Sequence, residues 1–370
     1  MAAPTLTLTQ RLDMIPAMLS VAAAGIATAL YGPFRGTEGA ATFDRHMQNG
    51  ITRRLAGRLN IAQLQFVRGT STATFDKWAA ANPSVEVHTD VIGDDAKVHW
   101  LGNKDADKVL LHVHGGGYIL PLSVGHLALL NGLREAIHAS TGVNMSVAIV
   151  EYTLAPIKPY PTQVRQANAA LHHIIGLGVS PSNVILSGDS AGAHVILCLL
   201  SHILHPHPDI AAPPTLSAPL AGLLLISPRV SNATTAPSFT QNTARDTLTR
   251  ETFVSWIANF RANSSITSED GLAKDGWYTE PVNAPTEWWD ALAGTVVKRV
   301  FVSAGEHECM RDDIVRFGLK WKDEVKGLDV QLEVEEKGIH DSPLMDVGRA
   351  PSALMVSIGT WLGKTAKGDA

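Results

Sequence analysis

Apolar positions along this chain change their spacing several times, and each change marks a different kind of element. From Leu12 to Leu30 the residues are almost continuously apolar or small, a run close to the length that spans a bilayer, with Asp13 and Pro16 at its start. Three readings fit it: a helix packed on the fold or lying at a membrane surface, a true anchor, or a signal with Ala27-Thr28-Ala29 as its small-residue site. The covering or surface helix is expected, because Asp13 and Pro16 interrupt the run and Ala outweighs Leu in it. Over residues 31–83, Ile51, Leu55, Leu59 and Ala62 recur every three or four positions, which predicts helices lying over another element.

After Asn82-Pro83 the pattern alternates, and 85–91 and 96–101 are expected to form an antiparallel pair. From Lys108 onward, short continuous Val/Ile/Leu runs at 109–113, 146–150, 184–186 and 220–226 are separated by helical patterns at 125–139, 162–177 and 194–204. Strands that read this way are covered on both faces, so the series is predominantly parallel α/β. The alternation stops over 229–290, which holds a predicted helix at 250–262 and the aromatics Phe253, Trp256, Phe260, Trp277, Tyr278, Trp288 and Trp289. So long an interruption predicts a subdomain over the ligand end of the sheet, with at least half of these aromatics packing it down. Strands at 298–303 and 329–335 and helices at 312–325 and 353–362 resume the pattern. The expected division is 1–83 (N-terminal helices contributing to a cap or membrane contact), 84–228 (core), 229–290 (cap insertion) and 291–370 (core).

Composition narrows the function classes. The chain has 370 residues, 45% hydrophobic and 18% charged, enough for one large core with a subdomain and too apolar for global disorder. A net charge of -5 and the lack of a recurring Lys/Arg cluster argue against a nucleic-acid partner. Cys198 and Cys309 make neither a disulfide framework nor a thiolate site, and no H-E-x-x-H occurs, so neither a metal nor another cofactor is expected.

Two motifs carry the chemistry. Asn183-Val-Ile-Leu-Ser-Gly188-Asp189-Ser190-Ala191-Gly192 is an apolar strand ending in G-x-S-x-G and feeding an apolar helix. Such a turn lifts the Ser190 hydroxyl out of the sheet beside a helix N-terminus, with Gly188 and Gly192 where backbones pass too close for a Cβ. His114-Gly115-Gly116-Gly117-Tyr118 directly follows the first parallel strand. Three glycines imply a sharp bend or close approach; no phosphate-loop pattern is present, and an oxyanion hole fits.

With Tyr152-Thr-Leu-Ala-Pro156 and Tyr160-Pro161 between them, these motifs resemble the hormone-sensitive-lipase-like esterases, and most nearly fungal steryl acetyl hydrolase-type enzymes, over the chain from about Gly32 onward. Thr153 and Ile157 depart from the family, which commonly has Arg and an acidic residue there. The resemblance implies an α/β-hydrolase with a central, mostly parallel eight-stranded sheet, helices on both faces and a helical cap. Its acid motif falls on Glu308-Cys-Met-Arg-Asp312-Asp313, making Glu308 the triad acid, with Glu306 and Asp312 as nearby competitors. Its histidine loop falls on Lys337-Gly-Ile-His340. The implied site is then Ser190, Glu308 and His340, with backbone N–H groups of Gly116, Gly117 and Ala191 as the oxyanion hole. His114, Gly115, Gly188, Asp189 and Gly192 support it, and Tyr118, Trp256, Phe260 and Trp288 are expected at the substrate pocket.

The expected activity is hydrolysis of a small acyl ester, acetyl foremost, of a bulky hydrophobic alcohol such as a sterol or fungal secondary metabolite. An acyltransferase or cyclase using the same triad, and a non-catalytic receptor on the same fold, are the alternatives. The expected setting is intracellular, with membrane association through the N-terminal helix; nothing in the sequence bears on oligomeric state.

Overall fold

The computed structural model describes residues 4–36, 39–261 and 276–368. The part of the expected cap at 262–275 lies outside the described residues. One sheet contains β1 (Val87–Val91), β2 (Lys97–Leu101), β3 (Lys108–Val113), β4 (Met145–Glu151), β5 (Val184–Asp189), β6 (Gly222–Ile226), β7 (Arg299–Gly305) and β8 (Asp329–Glu335), in the spatial order β1-β2-β4-β3-β5-β6-β7-β8. Only β2 runs against its neighbours; every pairing from β4 to β8 is parallel.

The main helices are α1 (Leu8–Tyr31), α2 (Phe43–Arg58), α3 (Ile61–Arg68), α4 (Ser71–Ala81), α5 (Val124–Thr141), α6 (Thr162–Gly176), α7 (Ser190–Leu204), α8 (Pro237–Gln241), α9 (Arg250–Arg261), α10 (Arg311–Glu324) and α11 (Ala353–Lys367). The strand period of two divides the core. Val109, Leu111 and Val113 of β3 pack with α6, α7 and α10, whereas Leu110 packs on the other face with α5 and α11. Burial on both faces explains the unbroken apolar runs.

Two boundaries differ instructively from the sequence reading. The strand expected at 184–186 continues to Asp189, because Ser187 and Gly188 are held in ladders opposite His112 and Val113 of β3 and Leu224 and Leu225 of β6. Neighbouring strands override weak local propensity here. Helix α7 then begins at Ser190, four residues before the expected start, so strand and helix meet without a loop.

Helix α1 opens with a capping box between Thr7 and Gln10 and lies along α2. It turns the small side of Ala17, Val21 and Gly25 inward and leaves Leu8, Leu12, Ile15, Leu19, Ile26 and Leu30 exposed. Arg58 of α2 donates to Asp13 at 2.9 Å, and Gln63 donates to the same carboxylate at 3.1 Å, which neutralises the acid in the apolar run. The segment Leu8–Phe34 is long and apolar enough to cross a membrane.

Candidate active site

The site is built at the carboxyl ends of β3, β5, β6, β7 and β8, where loops leave the sheet. Ser190 takes φ +49°, a left-handed conformation that a non-glycine residue adopts only when its surroundings demand it. They do: a Cβ on Gly192 would run into the Val113 and His114 carbonyls, and one on Gly188 would meet the Ala193 backbone. The two glycines let the helix back directly onto the sheet, so Ser190 projects above β5.

Asp189 ties this turn to the oxyanion loop. Its buried carboxylate accepts Gly115 N at 2.9 Å and His112 Nε2 and His126 Nε2 at 3.1 Å each. Burial alone would raise its pKa, but the two histidines hold it well below the usual carboxylate range. His114 is buried and stacked 4.4 Å from the Tyr152 ring, whose hydroxyl donates to the His114 carbonyl at 3.0 Å. Burial lowers the His114 pKa to about 3, so the ring is neutral and structural. Gly116 and Gly117 take φ +97° and +60°, and a Cβ on Gly117 would collide with the Trp256 ring. Gly116, Gly117 and Ala191 line the same cavity as Ser190. Ala191 also lies in the first turn of α7, where backbone N–H groups lack helical partners.

His340 Nε2 lies 2.8 Å from Ser190 Oγ, and His340 Nδ1 lies 2.7 Å from Glu308 Oε1. Glu308 is fully buried, and its other oxygen accepts Gly305 N at 2.9 Å and Ser227 Oγ at 3.0 Å. Its competitors point elsewhere. Glu306 accepts Lys337 N at 2.7 Å in an exposed setting, and Asp312 accepts Ser238 N at 2.9 Å at the start of α10.

Three further groups shape the site without a local motif to reveal them. Ser227 accepts Asp341 N at 3.2 Å while donating to Glu308, so it links the acid to the histidine loop. Asp246, buried within the insertion, accepts Cys309 N at 2.7 Å with one oxygen and His340 N at 3.0 Å with the other. One carboxylate therefore sets the spacing of the two loops that supply acid and base. Burial raises its pKa, while the hydrogen bonds from Cys309 and His340 favour the carboxylate.

Asp341 is the third group. Its Oδ2 is 3.2 Å from His340 Nε2, and its buried Oδ1 has no hydrogen-bond partner among the described residues. Burial opposes the imidazolium of His340, but Asp341 and Glu308 outweigh it and raise the pKa to about 10. Asp341 is itself pushed well above the usual range by burial and by the carboxylates of Asp189 and Glu308. Once Asp341 is neutral, the largest cause favouring the imidazolium is gone, and Nε2 can accept the Ser190 proton.

The cavity over Ser190 has a volume of about 600 Å³ and opens between the N-terminal helices and the insertion: Gln48 and Thr52 of α2 face it from one side, and Phe253, Trp256 and Ile257 of α9 from the other. Of the expected pocket residues, Trp256 and Tyr118 line it. Phe260 and Trp288 are not among its lining residues. Phe260 is wholly buried against Tyr118 at 3.8 Å, and Trp288 stacks on His205 at 3.6 Å and donates to Ser201 Oγ at 3.1 Å. Aromatic content marked the insertion, but only the packing shows which ring faces the cavity. At the family-atypical Thr153, amides of Gln163 and Gln166 supply neutral hydrogen bonds, so that loop needs no salt bridge.

An esterase of Acinetobacter venetianus is 29% identical over 171 residues, covering 45% of this chain and 50% of the relative, so the chain spans about half of that protein's length. A Schizosaccharomyces pombe protein named as a candidate steryl acetyl hydrolase is 26% identical over 277 residues, 73% of this chain and 68% of the relative. The crystal structure of an esterase from the bacterial hormone-sensitive lipase family has a TM-score of 0.62 at 22% identity, covering 88% of this chain and 99% of that one, a likeness of fold. The model of the α/β-hydrolase fold family matches residues 110–344. Because that match runs through the oxyanion loop, the elbow and both later loops of the site, across more than half of the chain, this protein belongs to the α/β-hydrolase fold family.

Proposed function

We propose that this chain, a serine carboxylic-ester hydrolase, removes a short acyl group, acetyl in the simplest case, from a bulky hydrophobic alcohol such as a sterol or fungal secondary metabolite. The observation that carries the reading is the continuous chain Ser190–His340–Glu308, with bonds of 2.8 and 2.7 Å, on the floor of a cavity walled by apolar side chains.

His340 Nε2 takes the Ser190 proton as Oγ attacks the ester carbonyl, and the carbonyl oxygen becomes an alkoxide between the N–H groups of Gly116, Gly117 and Ala191. Glu308 holds Nδ1–H, fixing the tautomer that leaves Nε2 free to accept, and stabilises the imidazolium that forms. The imidazolium protonates the leaving alcohol. Water then enters, His340 deprotonates it, and the acid leaves as Ser190 recovers its proton. The exposed apolar side of α1, with Gln48 and Thr52 of the adjoining α2 at the cavity, supports a membrane-surface position from which a lipophilic ester reaches the site.

The test is product identification by mass spectrometry from a panel of acylated hydrophobic alcohols, comparing wild type with Ser190→Ala. Free alcohol and carboxylic acid, absent with the variant, are expected. Transfer of the acyl group to a second alcohol would replace hydrolysis by acyl transfer, and binding without turnover would leave a receptor.

A further inference from the structure

Arg229 is a buried cation in the wall of the reaction cavity, 3% exposed, and the steps above do not use it. Its backbone N–H donates to the Ser190 carbonyl at 3.1 Å, which fixes it beside the nucleophile. Its guanidinium donates through Nε to the Tyr118 hydroxyl, through Nη1 to Asn232 Oδ1, and through Nη2 to the His194 ring at 2.8–3.0 Å. The Ser231 carbonyl is a fourth, longer contact at 3.4 Å. Every one of these partners is neutral, and Arg229 makes no ion pair among the described residues. His194 is held neutral by burial and by Arg229 itself, its pKa well below the ordinary value.

A guanidinium has five N–H donors and keeps its charge at any pH the protein meets. Four acceptors leave one N–H without a partner among the described residues, and the rings of Tyr118 and Phe260, 5.2 and 5.6 Å from its central carbon, offset only part of the desolvated charge. A buried charge without a counter-ion is a standing cost that an anionic ligand removes. The remaining charged groups of the cavity fit that reading. Arg68 stands at its exposed edge, Asp189 is taken up by two histidines, and Asp341 lies beside His340.

The side of the cavity on which Arg229 lies says which half of an ester it would meet. The leaving alcohol must lie within reach of His340, which protonates it, so the acyl chain extends the other way. None of the partners of Arg229 comes from the His340 loop; they belong to the oxyanion loop, to α7 and to the start of the insertion. From this arrangement we infer that the acyl pocket takes a short acyl group ending in its own carboxylate, a dicarboxylic half-ester, with Arg229 as the residue that recognises it. The inference rests on the esterase reading and names the acyl class within it.

The test compares one polycyclic alcohol carrying a succinyl half-ester with the same alcohol carrying a butyryl ester, which has the same number of acyl carbons and no charge. Binding to Ser190→Ala, followed by tryptophan fluorescence or calorimetry, is measured alongside turnover by the wild type. Tighter binding of the half-ester by tenfold or more is expected, with a matching advantage in kcat/KM. The advantage should disappear in Arg229→Gln and persist in part in Arg229→Lys and fully in Arg68→Gln. Equal or tighter binding of the butyryl ester overturns the inference, as does an advantage that follows Arg68. If Arg229→Gln does not fold, the wild-type pair and Arg229→Lys still decide. Selective binding of the half-ester without turnover of either ester would uphold the anion subsite and sink the hydrolase reading, so the two failures are distinct.

Discussion

Helices α7 and α1 are both rich in apolar and small residues, yet one is buried along almost its whole length and the other is largely exposed. In α7, every residue from Ser190 to His202 is buried; in α1, only Ala17, Val21 and Gly25 are. The difference teaches that apolar content states how much surface wants cover, and topology decides whether cover exists. Helix α7 follows the central strand and is enclosed by sheet, neighbouring helices and insertion. Helix α1 precedes the core and touches it along one stripe of small side chains.

That comparison can be broken most forcefully by truncating one leucine in each helix. Leu199→Ala in α7 should cost about 2–5 kcal/mol of stability, whereas Leu19→Ala in α1 should stay within about 0.5 kcal/mol. Chemical denaturation of both variants measures it, and equal losses would mean that α1 is as enclosed as α7.

The enclosed end should also carry the chemistry. His340→Ala and Glu308→Gln should each slow acylation by about two or more powers of ten with an unchanged circular-dichroism spectrum, while Glu306→Gln should leave it near wild type. Full activity in Glu308→Gln would show that another acid holds the imidazole.

A smaller effect is expected at Asp246. Asp246→Asn leaves one oxygen where the carboxylate used two to accept Cys309 N, His340 N and Thr247 N, so kcat should fall about tenfold while KM changes little. Its signature is a shifted pH profile, since the Asp246 carboxylate is among the charges that raise the His340 pKa. Asp341→Asn sharpens the same point. With the Asp341 carboxyl neutral in the working site, the amide removes no charge, and the acid limb of kcat/KM should stay where it is. A limb that moves to lower pH would show that Asp341 is ionised beside the base.

The least effect on catalysis should come from the exposed side. Removing residues 1–34 should change turnover of a small water-soluble ester by less than about threefold while abolishing cosedimentation with lipid vesicles. Loss of the soluble activity would make α1 part of the working cavity.

The site divides by how its residues are connected along the chain. HGGG, the elbow and the 308–313 frame are local patterns, because each places several groups through one continuous turn, and the structure brings Ser190, Glu308 and His340 into one hydrogen-bonded chain. Asp246, Ser227, His112 and His126 act across loops far apart in sequence, and a lone Asp, Ser or His has no spacing to betray such a role. Trp288 and Phe260 show the converse: their aromatic character was visible, their direction was not. For the fold, the buried strands were legible from β-branched runs, but the last three residues of β5 depend on partners in β3 and β6 that no local pattern contains.

The loop carrying Asp246 is held from α2 in a particular way. Arg53 donates to the carbonyls of Ala244 and Asp246 at 3.0 and 2.7 Å, and Asn49 donates to that of Arg245 at 2.5 Å. Carbonyls are supplied by every residue type, so this grip is blind to the side chains it holds. Thr243 and Ala244 could be exchanged, one face of the insertion redrawn, and the loop would still be drawn to the same place, provided Asp246 kept its carboxylate. Variation in the molecule's chemical taste can thus accumulate a few residues from the carboxylate that aims the catalytic base without disturbing that aim.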